Sequence, residues 1–167
     1  MKQNFVTISL IMFLGTLSLT SELQASTQHA LPSFKMLWKD ASFIVILVPP
    51  DTTNERLEAL IYEFRKARKE NYLSKWFPPT TPGLKNKYSL VYLYVFSDPE
   101  WATKELMDKY DTLDRRLLKF KKEYVKHIRA VYYYELLSRG KEEGTLGDDN
   151  GVVRSPFYKI LFSTSLK

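Results

Sequence analysis

Few side chains in this chain could do chemistry. It has 167 residues, no cysteine, and two histidines, His29 and His127. Without cysteine there is no thiolate nucleophile, no sulfur metal ligand and no redox pair. One histidine in the folded part cannot build a histidine-rich metal site, and no H-E-x-x-H pattern is present. His127 lies in "EYVKHIRAVY", four residues after Glu123, a spacing that brings two side chains onto one helical face. Glu123 and His127 are therefore the candidate pair for general-base catalysis. Such a base needs a partnered nucleophile, and no serine sits in a G-x-S-x-G turn. A lone histidine between Lys126 and Arg129 reads more simply as a surface or boundary residue.

The acidic pairs Glu142-Glu143 and Asp148-Asp149 fall in "KEEGTLGDDNG". Sequence neighbours on a polar, glycine-bearing segment belong at a hairpin tip rather than across one cleft. The stretch lacks the spaced ligands and closing glutamate of a calcium loop. The glycines at 140, 144, 147 and 151 match neither a phosphate loop nor a dinucleotide fingerprint. Neither a metal site nor a cofactor is expected.

Basic residues are better grouped. "RKARK" holds Arg65, Lys66, Arg68 and Lys69, and "RRLLKFKKEYVKHIR" holds Arg115, Arg116, Lys119, Lys121, Lys122, Lys126 and Arg129. Their simplest role is the solvated side of two amphipathic helices. Their sharper role is a surface for an anionic partner, with Arg65, Lys66, Arg68, Lys69, Arg115, Arg116, Lys119, Lys122 and Lys126 as the candidate contacts. The formal net charge of +6 agrees with that direction. The partner would be an anionic envelope polymer, a lipid surface or an acidic protein. Phe120 and Tyr124 interleave with the basic residues as in nucleic-acid binders, but they belong to an apolar stripe, and export removes cytoplasmic nucleic acid as a target.

Export is read from the N-terminus. Lys2 precedes an apolar run, 5–19, and "SELQAS" follows with Ala25 at a cleavage position, although Leu23 is large for its place. The run is interrupted by Thr7, Ser9 and Gly15 and is short for a membrane span. The expected organisation is a secretory signal over 1–25, a flexible leader over 26–34 and one globular domain over 35–167. The mature protein would be periplasmic or secreted, with no membrane span.

The elements that must position these residues follow from periodicity. Phe43 to Val48 is a continuous apolar run stopped by two prolines, the pattern of a strand covered on both faces. Thr52 and Glu55 suggest a capping box, and Leu57, Leu60, Ile61, Phe64 and Ala67 form one stripe, predicting a helix over 53–74. "KYSLVYLYVFSDPEW" places Tyr88, Leu90, Tyr92, Tyr94 and Phe96 on one side of a strand and Val91, Leu93 and Val95 on the other. Both sides are apolar, so a central core strand is favoured over an aromatic ligand platform. Asp98 and Pro99 then suggest a helix start.

Ala102, Leu106, Tyr110, Leu113, Leu117, Phe120 and Tyr124 continue at helical spacing, with a potential break at "YDTLD". "HIRAVYYYELL" and "FYKILFS" read as strands, joined by a loop or flexible hairpin that turns at Asn150-Gly151. The fold expected is α/β, with α+β as the alternative: a single mixed four-stranded sheet with two main helices in the order β-α-β-α-β-β. Its strand–helix–strand units predict parallel pairs, and the last two strands an antiparallel pair. Together these features predict an exported, non-catalytic binding or assembly protein of the cell envelope or extracellular space. The alternative is a small cell-envelope hydrolase using carboxylates or His127.

Overall fold

The computed structural model describes residues 30–40, 43–79, 88–136 and 140–166. One six-stranded sheet runs in chain order: β1 (Lys35–Lys39), β2 (Phe43–Leu47), β3 (Leu90–Phe96), β4 (Ala130–Glu135), β5 (Lys141–Leu146) and β6 (Lys159–Ser165). β2 and β3 are parallel, and every other neighbouring pair is antiparallel. The helix α1 (Asn54–Lys69) crosses from β2 to β3, while α2 (Lys104–Asp111) and α3 (Leu118–Tyr124) lie between β3 and β4. The expected export signal and residues 26–29 of the leader lie outside the described residues. In the rest of the leader Pro32 is buried, and Phe34 packs edge-on against Phe64 with ring centroids 5.6 Å apart.

The mixed α/β class and the parallel β2–α1–β3 unit are as expected. The four-stranded sheet and the order β-α-β-α-β-β are not: β1 and β5 add two strands. β5 is "KEEGTL", whose charges and glycine argue for a loop by propensity alone. Pairing with β4 on one side and β6 on the other makes it a strand. The last two strands of the expected order, "HIRAVYYYELL" and "FYKILFS", therefore do not pair with each other.

The helical stretch breaks at Thr112, within the suggested "YDTLD", and the second strand–helix–strand unit departs from expectation in its pairing. Two short helices in succession fold back on each other, return the chain to the same end of the sheet, and β4 comes back antiparallel to β3.

The helix boundaries shift for local reasons. Thr53, not Thr52, caps α1: Arg56 N donates to its Oγ1 at 3.4 Å. The helix ends at Lys69, ahead of Asn71 at φ 61°, and a separate 3-10 turn follows at Leu73–Lys75. Asp98 does not start a helix. Its Oδ1 accepts from Glu100 N at 2.9 Å in a turn, and Thr103 caps α2.

β3 sits under both helical layers. Val91, Leu93 and Val95 pack with Ile44, Ile46 and the predicted stripe of α1, Leu57, Leu60, Ile61, Phe64 and Ala67. On the opposite side Tyr94 and Phe96 pack with Met107, Tyr110, Tyr124 and Val125 of α2, α3 and the turn after them. Gly144 lets α1 lie close on β5: a Cβ there would stand 2.5 Å from Ile61 Cγ2.

The same helix is tied to β5 by charge. Glu142, fully buried, accepts from Arg68 Nε at 2.8 Å, Arg65 Nε at 3.3 Å and the Tyr132 hydroxyl at 2.8 Å. Burial alone would push this carboxyl up, but the bonds from Arg68 and Tyr132 and the charges of Arg68 and Arg65 outweigh it and hold it below the ordinary range.

Two stability outcomes follow. In denaturant melts, Leu93→Ala should cost about 2–5 kcal/mol through the cavity left under α1, and Tyr92→Ala, on the less covered side, clearly less. An equal loss at both would show that the two sides are packed alike. Arg68→Met should cost about 3 kcal/mol by leaving a buried carboxylate with one cation. Adding Glu142→Gln should recover part of it.

Candidate functional site

The helices on the second side of the sheet are short, and they leave part of it open. The register sets Tyr92 of β3 beside Tyr133 of β4 and Glu143 of β5, and Tyr94 beside Val131 and Thr145. These six residues share one side of the sheet because alternate strand residues do. They form one wall of a cavity of about 510 Å³, completed by Asp111, Lys141, Asp148 to Gly151 and Tyr158. α2 contributes Asp111 from its last turn, and the β5–β6 connection contributes the segment after Leu146.

The wall is aromatic and ordered. Tyr92 packs on Tyr133 with centroids 4.7 Å apart and stacks on Phe43 at 5.2 Å. The Tyr133 hydroxyl bonds Glu135 Oε2, and burial followed by that bond raises its pKa. Burial, then the Asp148 charge, raises Tyr94 well above the ordinary phenol. Tyr158 is raised by burial and by Glu143. These hydroxyls therefore stay protonated at neutral pH and serve as hydrogen-bond donors or acceptors, not as phenolate nucleophiles.

The carboxylates are held differently. Asp148 is 9% exposed, and its Oδ2 accepts from the Tyr110 hydroxyl at 2.8 Å. Burial raises its pKa from 3.8 to about 6; the Tyr110 bond opposes this, and the Asp149 and Asp111 charges add to it. Asp149 is bound by Arg154, whose Nη2 stands 2.6 Å from Oδ2, and Glu143 pairs with Lys141 at 2.6 Å. Gly151, at φ 78°, turns the chain here, while Asn150 Oδ1 accepts from Val152 N and Val153 N at 3.0 Å each. Asn150-Gly151 is thus the turn expected, set in the cavity rim.

This site is not legible in the sequence, where Glu142-Glu143 and Asp148-Asp149 read as loop neighbours. As strand neighbours, Glu142 points into the α1 layer and Glu143 into the cavity. The usable signal was the alternation of Tyr92, Tyr94 and Tyr133, which the core reading absorbed. That reading holds for Tyr94, 7% exposed, and only in part for Tyr92.

The expected candidates lie elsewhere. His127 stacks on Trp101 at 3.8 Å and 7°, with Nε2 3.8 Å from Glu123 Oε1, and neither residue lines the cavity. The two basic stretches occupy opposite sides of the sheet: Arg65, Lys66, Arg68 and Lys69 on α1, and Arg115, Arg116, Lys119, Lys122 and Lys126 on α3, its approach and the turn after it. Arg65 and Arg68 are committed to Glu142.

Among the described residues no group of three or more His, Asp or Glu is placed to hold a metal ion, and no helix is long and apolar enough to cross a membrane. A second hollow, about 450 Å³, lies beside Pro49, Pro50 and Pro99, with Lys35 its one ionisable lining group. Comparison of the chain with family models, curated proteins and solved structures gave no match.

The buried Asp148 sets a pH outcome. A carboxyl whose folded pKa lies above its unfolded value makes the folded state bind protons more tightly. Stability from this group therefore rises as pH falls through about 6 toward 4. Asp148→Asn removes the effect, so the mutant's gain over wild type in melts should be largest near pH 7 and vanish near pH 4. A gap independent of pH would place Asp148 in an unperturbed environment.

Proposed function

We propose that the chain is an exported, non-catalytic binding protein that holds a small cationic ligand in the tyrosine–carboxylate cavity. The observation that carries this reading is the lining itself: Tyr92, Tyr94, Tyr133 and Tyr158 with Asp111, Glu143, Asp148 and Asp149, against Lys141 as the basic lining residue. Ring faces attract a cation by their quadrupoles, worth about 1–2 kcal/mol when the site excludes water. Aromatic walls with a few placed polar groups are also the usual make-up of a small-molecule site. Glu143 and Asp149 are matched by Lys141 and Arg154, so Asp111 and Asp148 supply the cavity's negative excess, opposite in sign to the net charge of +6.

A cation beside Asp148 would favour its ionised form, so binding should strengthen between pH 5 and 7. The hydrolase alternative draws support from Asp148 itself, since a carboxyl titrating near 6 in a cavity suits a general acid.

The test uses calorimetry with choline and its uncharged isostere dimethylbutanol. Choline should bind, the isostere at least tenfold more weakly, and Tyr133→Ala and Asp148→Asn should each weaken choline about tenfold. Equal binding of the two compounds would defeat the cationic assignment. Turnover of peptidoglycan or ester substrates, abolished by Asp148→Asn, would replace this reading with the hydrolase. Export is checked by N-terminal sequencing of the protein recovered outside the cytoplasm, which should begin at Ser26.

A further inference from the structure

The break between α2 and α3 leaves a leucine with no packing role. Leu113, expected within the apolar stripe, is 90% exposed, and Leu118, at the start of α3, is 38% exposed. Between and after them the chain is strongly basic: six Lys or Arg and two acidic residues lie within 113–126. Both acids are already matched. Asp114 is bound by Arg116 at 2.8 Å and Glu123 by Lys126 at 2.7 Å. Lys121 turns inward, its Nζ bonded to the Thr112 carbonyl.

That leaves Arg115, Lys119 and Lys122 exposed and without an ion pair among the described residues. Leu118, Lys119 and Lys122 fall at helical spacing, so two of the cations and a leucine share one outward side of α3.

A basic helix face needs no apolar residue to be soluble, and an exposed leucine in water gains nothing. An apolar side chain flanked by unpaired cations gains from one surface above others: an anionic bilayer, where headgroups take the charge and the interface takes the leucine. We infer that the α2–α3 connection, through Leu113, Arg115, Leu118, Lys119 and Lys122, docks this protein on an anionic lipid surface. On α2, Asp108 is bound by Lys104 at 2.8 Å, Asp111 belongs to the cavity lining two residues before Leu113, and Glu105 lies in the first turn, at the end of the helix away from Leu113. Docking does not depend on what the cavity binds, because none of its residues lines the cavity.

The experiment is sedimentation of the full chain with vesicles of phosphatidylcholine alone and with a third phosphatidylglycerol, at low and physiological salt. All variants share the apolar run of residues 5–19, so only differences between them are read. Wild type should prefer the anionic vesicles, less so as salt rises. Arg115→Gln/Lys119→Gln/Lys122→Gln should weaken anionic binding about 100-fold, at about fivefold per cation. Leu113→Gln should weaken it about tenfold. Lys66→Gln/Lys69→Gln, on the opposite side of the sheet, should leave it unchanged. Thermal melts confirm that each exposed variant is folded.

No loss of anionic binding in Arg115→Gln/Lys119→Gln/Lys122→Gln, or an equal loss from the α1 variant, would overturn the inference. So would retention of binding in Leu113→Gln together with competition by soluble polyphosphate. That outcome would make the patch a site for a soluble polyanion or acidic protein.

Discussion

A central strand that is apolar on both sides must be covered on both, and the chain meets that demand unequally. β3 presents Val91, Leu93 and Val95 to one layer and Tyr92, Tyr94 and Phe96 to the other. α1, with 16 residues, spans about 24 Å, enough to run the length of the strands and reach β4 and β5. α2 and α3, with 8 and 7 residues, are each about half as long. They cover Tyr94 and Phe96 and stop short of Tyr92 and Tyr133. The cavity is the uncovered remainder of the second side, closed at its rim by the β5–β6 connection. Its aromatic wall follows from this directly, because a side built to be buried stays apolar where its cover ends.

The two buried carboxylates show how one sheet treats the same group in opposite ways. Glu142 lies under α1, where Arg65, Arg68 and Tyr132 surround it and keep it ionised. Asp148 lines the cavity with a bond from Tyr110 and, among the described residues, no cation on its carboxylate, so burial prevails and its pKa climbs. The first is a structural tie, since it fixes the charged strand β5 against the helix. The second is a strained ionisation, which a cation entering the cavity would relieve. The location of cations, not of acids, separates the structural carboxylate from the one free to act.

The same accounting of partners reorders the basic residues. Arg65 and Arg68 look in sequence like half of an exposed patch, yet they are the counter-ions of β5. Among the described residues Arg115, Lys119 and Lys122 have no ion pair, and they sit beside a leucine that the helix break has turned outward. A surface worth testing is thus far narrower than the basic stretches themselves.

The mixed α/β class, the α1 stripe to the residue, the parallel unit around it and the turn at Asn150-Gly151 are all legible in the sequence. Each is a local pattern of period or turn chemistry, readable without knowing what lies across from it. That "KEEGTL" is a strand depends on distant partners, because its charges are tolerated through Arg65 and Arg68, more than 70 positions away. The break suggested at "YDTLD" was legible, but that Leu113 leaves the core there was not. The cavity was illegible for the same reason. It joins β3, the end of α2, β4, β5 and the β5–β6 connection, and no spacing along the chain records which sides of separate strands come together, or how far a covering helix reaches.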